Sequence, residues 1–312
     1  MKRGKFKRLW FLILVSLASQ FAFSQGPPIN TNTAFVTGIN GSAIRTFAKA
    51  MQKTTLYSGD QAIPNNSERA VSAFVFPVMI PYEVIPNKLV VIAAMPYLSK
   101  EVKLTNNGNR VSRDASGWGD LKILGKYQLY QRDTKRATLR ITFLGGIKLP
   151  TGKADASDDM GLLPRPLQPG SGSYDLLGGP IITYVKNRLG LNAEANYRKN
   201  TRAKGYQFGD VLSANIAVGY RIFPKVYKIY PSPYSSVFVE LLSEFSGKDR
   251  AEGTELENTG KKILVLAPGV QFVFSRTFLL EASLQLPIYQ YYNGEQLGLD
   301  YSYTFGLRWL IF

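Results

Sequence analysis

The sequence predicts an all-β fold, a transmembrane antiparallel up-and-down β-barrel of about 12 strands. Three observations support this prediction. Long segments of the chain alternate between apolar and polar side chains. The connections between these segments are alternately long and short. The chain also begins with a stretch that has the pattern of a secretory signal.

Residues 1–24 have the parts of a secretory signal peptide. The basic start "MKRGKFKR" precedes the apolar stretch "LWFLILVSLASQFAF", and the small residues Ala22 and Ser24 stand at positions −3 and −1 before Gln25. Cleavage there removes five basic residues and no acidic one, so the formal charge of +16 falls by five, to +11. An uncleaved anchor fits less well, because the apolar stretch is short and interrupted by Ser16, Ser19 and Gln20.

Residues 25–312 are predicted to form one barrel domain, with residues 25–42 as an N-terminal periplasmic segment. The expected strands are 43–57, 70–83, 88–100, 117–131, 137–149, 173–186, 189–199, 209–223, 234–246, 261–275, 277–290 and 299–312. The first is ambiguous because Ile44, Phe47, Ala48 and Met51 recur at helical spacing, so an amphipathic helix is the alternative. A strand is preferred, since barrels of this class have an even number of strands.

The length of the alternating segments separates a membrane barrel from a soluble sandwich. In "VLSANIAVGYRI", Leu212, Ala214 and Ile216 point one way and Ser213 and Asn215 the other. A soluble sandwich shows the same alternation, but its strands have about 5–6 residues. A tilted transmembrane strand needs about 9–11 residues, which these segments provide. The mean hydropathy is too low for a helical membrane protein.

The connections indicate which end of the barrel faces outward. "PTGKADASDDMGLLPRPLQPGSGS" is long and "KNR" is short, although "FPKVYKIYPSP" is longer than this alternation predicts. Outer-membrane barrels have long loops outside and short turns in the periplasm, which places both termini on the periplasmic side. Four aspartates begin strands that descend from the outer end, and we expect them on a solvated outer rim: Asp120, Asp175, Asp210 and Asp300.

The same alternation assigns a set of charged side chains to the lumen. They are Lys122, Lys126, Arg140, Lys148, Glu194, Arg198, Arg221, Glu240, Glu244, Glu281 and Arg308. One interpretation is a conductive path that selects anionic or aromatic solutes by charge rings and cation–π contacts. The other is that these charges pair across the interior and fill it. Both interpretations remain open at this point.

Composition argues against several other functions. The chain has 0 His and 0 Cys, so it can form no disulfide, no Ser-His pair and no ordinary zinc site. We therefore predict no catalytic residue, no metal site and no cofactor, and no enzyme. Asp155, Asp158 and Asp159 could bind calcium, but a solvated loop is the preferred interpretation. Lysine and arginine are spread along the chain, which argues against nucleic-acid binding.

Several motifs resemble one family. The stretches are "GWGDLKILGKY", "GGIKLPTGKAD", "GSGSYDLLGGP", "NAEANYRKN" and "FGDVLSANIAVGYR". Over about residues 70–312 the chain resembles the outer-membrane barrels named for the MetA pathway of phenol degradation, which are grouped with channels resembling the fatty-acid transporters. The resemblance implies uptake of small hydrophobic, often aromatic, compounds. It implies no particular substrate-contacting residue.

The ending "YSYTFGLRWLIF" is predicted to be the closing strand, with Tyr301, Tyr303 and Phe305 toward lipid. Phe312 resembles the C-terminal aromatic signal that the barrel-assembly machinery recognises. It falls on the opposite parity from the lipid-facing row, so either a bulge restores the register or Phe312 extends past the last pairing.

The predicted function is a channel or transporter in the outer membrane of a Gram-negative cell, for small molecules that include hydrophobic or aromatic compounds. Expected partners are outer-membrane lipid, the barrel-assembly machinery and a small-molecule solute, with no nucleic acid. The alternatives are a structural or adhesive barrel with a filled lumen and, less favoured, a barrel enzyme acting on lipid or peptide.

Overall fold

A computed structural model describes residues 27–36, 42–106, 108–226, 232–275 and 277–311. The predicted signal peptide and Phe312 lie outside the described residues. Among the described residues, no helix is long and apolar enough to cross a membrane.

Twelve antiparallel strands form a closed barrel, as predicted. They are β1 (Ser42–Lys53), β2 (Ala70–Ile85), β3 (Leu89–Asn106), β4 (Leu121–Asp133), β5 (Ala137–Leu149), β6 (Asp175–Lys186), β7 (Leu189–Lys199), β8 (Val211–Phe223), β9 (Tyr234–Ser246), β10 (Lys261–Val273), β11 (Phe278–Leu297) and β12 (Tyr301–Ile311). Each pairs with its neighbour in sequence. Closure comes from β1, which pairs with β2 and with β12, so Arg45 lies opposite Arg308. The ambiguous first segment is a strand, and an even strand number is confirmed.

Short elements extend the wall at the outer end. Strand Asn109–Trp118 pairs with the outer half of β3 and forms a tall hairpin with it. The remaining short elements are strands Leu56–Gly59, Gln61–Ile63, Ser157–Asp158, Gly161–Leu162, Tyr206–Gln207, Arg250–Ala251 and Thr254–Glu255, and a 3-10 turn at Arg165–Leu167. The long connections and these extensions therefore share one end of the barrel.

The two faces of the wall differ as a membrane barrel requires. In β12, Tyr301, Tyr303 and Phe305 are 45%, 53% and 56% exposed, whereas Ser302 and Thr304 between them are 1% and 4% exposed. Large apolar side chains on the outer face contact lipid in a bilayer, and polar side chains face the lumen. The fold and its apolar outer face are those of an outer-membrane barrel.

One prediction of domain organisation is wrong. The segment expected in the periplasm lies inside the barrel over residues 27–36, which we call the luminal segment. Its backbone hydrogen-bonds to inward-facing side chains of the wall, such as Glu240 and Thr183. The luminal segment has no periodicity, so the alternation that predicts the strands does not predict its position. That position depends on contacts with residues far away in the sequence.

Candidate functional site

The luminal segment is bound by a buried carboxylate in the middle of β9. Glu240 is 0% exposed. Its carboxylate oxygens accept the backbone N–H groups of Ile29 at 3.1 Å, Asn30 at 3.0 Å and Thr31 at 2.7 Å. Three successive backbone amides therefore donate to one carboxylate. Their hydrogen bonds stabilise its buried negative charge, and the carboxylate supplies an acceptor to N–H groups that take part in no strand pairing.

A second carboxylate binds the next residue of the segment. Glu194 of β7 accepts the backbone N–H of Asn32 at 3.2 Å and its side-chain amide at 2.7 Å. Asn215 of β8 also donates to Glu194, at 2.8 Å. Beyond it, the Thr183 hydroxyl accepts the Ala34 N–H at 2.7 Å. Side chains from β6 to β9 therefore hold one side of the luminal segment.

Strands β1, β10 and β11 hold the beginning of the segment. Arg45 donates to the carbonyl of Ile29 at 2.7 Å and to the Glu281 carboxylate at 3.0 Å. Gln271 donates to the carbonyl of Pro27 at 3.0 Å. These contacts link the segment to charges on the opposite side of the lumen from Glu194, so the segment crosses the interior.

Strands β4 and β5 and an apolar cluster hold the end of the segment. Ala34 is fully buried against Leu144 and Ile181. Lys126 donates to the Phe35 carbonyl at 3.0 Å, and the Arg140 guanidinium lies 5.3 Å from the centre of the Phe35 ring. Many of these partners lie near the periplasmic ends of their strands. The luminal segment therefore fills the lumen from the periplasmic end to about its middle.

The outer half of the lumen is different in character. Six charged side chains that face inward here are only half-buried: Lys49, Lys53, Lys122, Arg198, Glu244 and Lys261. We call the space that they line the vestibule. Lys261 and Glu244 form an ion pair at 2.8 Å, with side chains 27% and 47% exposed. These side chains line the inside of a closed wall and still have accessible surface, so the vestibule has room for water.

A buried ion cluster lies at the outer end of β4, β5 and β6. Lys148 lies 3.1 Å from an Asp120 carboxylate oxygen and also pairs with Asp175. Ser171 and Ser173 contribute hydroxyls to the same cluster. Asp120 is 7% and Asp175 is 1% exposed, so the expectation of a solvated position is wrong for these two residues. Lys148 compensates one of these two negative charges, and the hydroxyls of Ser171 and Ser173 and the Gly152 N–H donate hydrogen bonds to the carboxylates.

The four rim aspartates share a second role that the sequence did not reveal. Each accepts backbone N–H groups from the residues that leave an adjacent ascending strand. Asp120 accepts from Gly152 at 3.0 Å and Asp175 from Thr201 at 3.0 Å. Asp210 accepts from Asn200 at 2.9 Å. Asp300 accepts from Thr54 and Thr55 at 2.6 and 3.3 Å. The aspartates thereby fasten the outer loops where strand pairing ends.

The long loop between β5 and β6 packs on the inward face of the hairpin that extends β3. Leu163 and Leu167 are buried against Ala115 of that hairpin. Arg113 forms a bidentate ion pair with the Asp158 carboxylate, with N···O distances of 2.7 and 2.8 Å. This hydrogen-bonded pairing lowers the pKa of the Asp158 carboxyl.

Two acidic side chains of this loop form ion pairs with cations. The Asp155 carboxylate lies 3.5 Å from the Lys204 Nζ atom, and the Asp158 carboxylate pairs with the Arg113 guanidinium. Within the described ranges of the chain, no three acidic, His or Cys side chains come together as metal ligands.

Comparison with known proteins identifies the family. The sequence matches the family described as "Putative MetA-pathway of phenol degradation" over residues 53–305, which is most of the chain. The chain belongs to this family. A search of curated proteins found no match.

One solved structure shares the barrel fold of this MetA-pathway family member. An outer membrane channel from Pseudomonas putida F1 matches with a TM-score of 0.66 and 11% identity, covering 92% of this chain and 100% of the channel. The β domain of the Bordetella autotransporter BrkA gives a TM-score of 0.46 and 12% identity, covering 87% and 99%. At such identities the likeness to the channel concerns the fold alone, and the weaker likeness to BrkA supports no argument.

The motifs that resemble the family meet in space. "GWGD" supplies Asp120, "KLPTG" supplies Lys148 and "GSGSYD" supplies Asp175. Gly152 and Gly170 also touch, since a Cβ atom on Gly170 would lie 2.3 Å from the Gly152 carbonyl oxygen. The motifs that resemble the family therefore supply the buried ion cluster of Asp120, Lys148 and Asp175 at the outer end of the wall, together with the close approach of Gly152 and Gly170. We call this arrangement the latch.

The predicted lumen-lining charges face inward but do not form one site. Six of them contact the luminal segment or the ion pair next to it: Lys126, Arg140, Glu194, Glu240, Glu281 and Arg308. Arg140, Arg221 and Arg308 lie at the periplasmic end of the lumen, and Arg308 is 3.6 Å from Glu281. Lys122, Arg198 and Glu244 line the vestibule, and Lys148 belongs to the latch.

Sequence reasoning missed several inward-facing cations, among them Arg45, Lys49, Lys53 and Lys261. The first three are spaced by four residues, which is an even number and therefore places them on one face of a strand. The helical spacing of the neighbouring apolar residues obscured this signal. The luminal segment left no signal of its own, because it has no periodicity.

Proposed function

We propose that this chain is an outer-membrane channel for small molecules, and that the luminal segment closes it. The observation that supports this best is the contrast between the two halves of the lumen. The charged side chains of the vestibule, in the outer half, keep accessible surface, whereas the inner half is filled by a segment that belongs to no strand. A barrel that only needed filling could use its own wall side chains, as small barrels do.

The luminal segment is suited to leave the lumen. Cleavage before Gln25 would make residues 27–36 part of the new N-terminus, so the segment would be tethered at one end only. Its contacts with the wall are mainly hydrogen bonds, and each contributes only about 0.5–1.5 kcal/mol net, or about 1.5–3 kcal/mol when a charged group takes part. Water in an opened lumen can replace them. N-terminal sequencing of the protein from outer membranes tests the cleavage position.

The family description concerns phenol degradation. Small aromatic compounds are therefore the first solutes to test. The polar lumen favours compounds that also carry a polar or charged group, since an uncharged hydrocarbon gains little from such a surface.

Conductance of the folded barrel in planar bilayers tests the channel and its closure together. We compare the chain 25–312 with a variant that carries Ala34→Cys and Ile181→Cys, two residues of one buried cluster in the lumen. The native chain has no cysteine, so one disulfide can form. We expect low conductance after oxidation and recovery after reduction, while the single-cysteine variants respond to neither treatment.

A structural or adhesive barrel is the second candidate, because the inner lumen is filled. Absence of solute flux in the reduced double-cysteine variant, and in a variant lacking residues 25–36, would favour it. Heat-modifiable gel mobility must show that both variants are folded. We propose no enzyme activity, and hydrolysis of lipid or peptide that a single serine or carboxylate substitution abolishes would contradict this.

The proposed partners for assembly are outer-membrane lipid and the barrel-assembly machinery, which would recognise Phe312. Adding one lysine after Phe312 should lower the folded fraction in outer membranes. Adding one phenylalanine is the matched control. Equal insertion of both variants would show that the ending has no role in assembly.

A further inference from the structure

The turns at the periplasmic end of the barrel are basic. Seven lysine and arginine residues lie on these turns or next to them within the described part of the chain, and we call them the basic collar: Lys88, Arg132, Lys135, Arg136, Lys186, Arg188 and Lys225. The described residues of the same turns, with the last three residues of each strand that leads into them, include two acidic ones, Glu83 and Asp133.

Both acidic side chains are occupied by partners outside the collar. Glu83 is buried, and its carboxylate accepts the Asn87 backbone N–H at 2.6 Å. The Asp133 carboxylate lies 3.3 Å from the guanidinium of Arg140, which faces the lumen. Within the part of the chain that the structure describes, no side chain of the collar forms an ion pair with a carboxylate. The charge of the collar is therefore available to a partner outside the chain.

The outer end of the barrel is different. Its exposed cations pair with carboxylates at several places, as Arg110 does with Glu68 and Arg202 with Glu252. The uncompensated positive charge is thus a property of the periplasmic end.

Hydrogen bonds between neighbouring turns make the collar continuous. The Asn187 N–H donates to the Arg136 carbonyl at 3.0 Å, and the Arg221 N–H donates to the Arg188 carbonyl at 3.0 Å. These bonds join the turn after β4, the turn after β6 and the end of β8. The basic side chains of these elements therefore lie side by side along the rim.

Two cations of the collar lie against the lipid-facing surface of the wall. The guanidinium carbon of Arg188 is 4.5 Å from the centre of the Tyr220 ring, and two of its nitrogens donate to carbonyls at the end of β8, at 2.8 and 3.2 Å. The Nζ atom of Lys88 is 4.9 Å from the centre of the Tyr127 ring. Both tyrosines belong to the exposed outward-facing rows. Aromatic rings in these rows mark the boundary between membrane and water, so the two cations lie at the level of lipid headgroups.

We propose that the basic collar binds anionic phospholipids of the periplasmic leaflet, such as phosphatidylglycerol. The phosphate groups lie beside Arg188 and Lys88 and along the turns, and the acyl chains lie against the outward row that begins at Leu189, which is exposed and paired with Tyr220. Clusters of lysine and arginine next to a membrane-spanning wall attract anionic lipids in this way. The inference does not depend on whether the barrel conducts solutes.

The geometry favours a lipid over peptidoglycan, which is the other anionic partner of a periplasmic surface. Arg188 is held on the outer face of the wall by its ring contact and its two hydrogen bonds, so it faces the bilayer. A guanidinium also offers paired donors to phosphate oxygens. Apolar side chains directly beside it suit a partner that has acyl chains.

Lipid association is measured by electron paramagnetic resonance on the chain 25–312 in phosphatidylcholine bilayers. The probes are spin-labelled phosphatidylglycerol and spin-labelled phosphatidylcholine, and the motionally restricted fraction gives the relative association constant of each. We expect phosphatidylglycerol to associate at least about twofold more strongly, averaged over the lipids around the barrel. The preference should fall with added salt, because charges in contact with water are screened.

Variants test whether the preference comes from the collar. Arg136→Gln, Lys186→Gln and Arg188→Gln together should remove most of it, whereas Arg136→Lys with Arg188→Lys keeps the charge and should retain most of it. A matched control removes three exposed cations from the outer loops and so changes the net charge equally: Arg69→Gln, Lys153→Gln and Lys248→Gln. Heat-modifiable gel mobility checks that each variant is folded.

Equal association of the two lipids with the unmodified barrel would overturn the proposal, as would an equal loss of preference in the triple variant and its control. Cosedimentation with purified peptidoglycan is recorded in parallel. Binding to peptidoglycan that the triple variant loses, without any lipid preference, would assign the collar to the cell wall and also overturn the proposal. Solute flux is measured separately, so a lipid preference without flux would refute the channel and keep the lipid site.

Discussion

The Oε2 atom of Glu240 accepts the backbone N–H of Thr31 at 2.7 Å, across 209 residues of sequence. A carboxylate in the centre of the barrel wall therefore holds a segment that the sequence alone had placed in the periplasm. Three amides of that segment share the same carboxylate. Glu240 is therefore one of the inward-facing side chains that hold the luminal segment, together with Glu194 and Thr183.

Glu240→Ala should open the channel. The change leaves the amides of Ile29, Asn30 and Thr31 without an acceptor, and hydrogen bonds to a charged group contribute about 1.5–3 kcal/mol each. Even one such loss shifts a two-state equilibrium by about tenfold or more toward the state without the segment. Single-channel recording should show a higher open fraction. Glu255→Ala, an exposed loop residue, is the control, and an equal open fraction in both would contradict the role of Glu240.

Lys148→Ala should destabilise the barrel strongly. The Lys148 side chain is 10% exposed, and its removal leaves Asp120 and Asp175 as uncompensated buried charges. Breaking a buried pair in this way costs about 3–5 kcal/mol. Urea unfolding, followed by the loss of heat-modifiable mobility, measures the change. Lys199→Gln breaks an exposed pair with Asp210 and should cost about 0–1 kcal/mol. A small effect of Lys148→Ala would mean that water reaches the latch.

The long loop between β5 and β6 should loosen at acidic pH. The pairing with Arg113 lowers the pKa of Asp158 below its ordinary value of about 3.9. A depressed pKa in the folded state means that the stabilisation is present above about pH 4 and is lost as the pH falls through the folded-state value. The protection factors of the amides of residues 156–162, which correct for the pH dependence of intrinsic exchange, should fall in that range. In Asp158→Asn the protection factors should be low at neutral pH and nearly independent of pH between about 2 and 5.

Gly170→Ala should disrupt the latch without changing any charge. The added Cβ atom would lie 2.3 Å from the Gly152 carbonyl oxygen, so backbone must move. Overpacking of this kind costs about 1–3 kcal/mol. Gly247→Ala is the control, because its Cβ atom would have no neighbour closer than 3.8 Å and the backbone has no positive φ. Equal unfolding midpoints for the two variants would show that the loop can shift without cost.

Much of the fold could be predicted from local patterns. Side chains in a strand alternate with period two, so the lipid-facing and lumen-facing rows follow from the sequence of each strand alone. Tyr301 and Ser302 show this, because they differ in exposure as their parity predicts. The lengths of the connections then gave the two ends of the barrel. The first strand was ambiguous because Ile44, Phe47, Ala48 and Met51 also satisfy a helical spacing, and pairing with β2 and β12 decides for the strand.

The sequence by itself determined the class of fold, all strands but the ambiguous first, and the face of each inward charge that it named, since all three depend on residues close together in the chain. Only the tertiary structure decided what each charge does. Closure of the barrel brings Asp120, Lys148 and Asp175 together and removes them from water. It also creates the interior that Glu240 and Glu194 share with the luminal segment. The physical reason is that burial and pairing of a charge depend on neighbours from other strands, which no local pattern specifies.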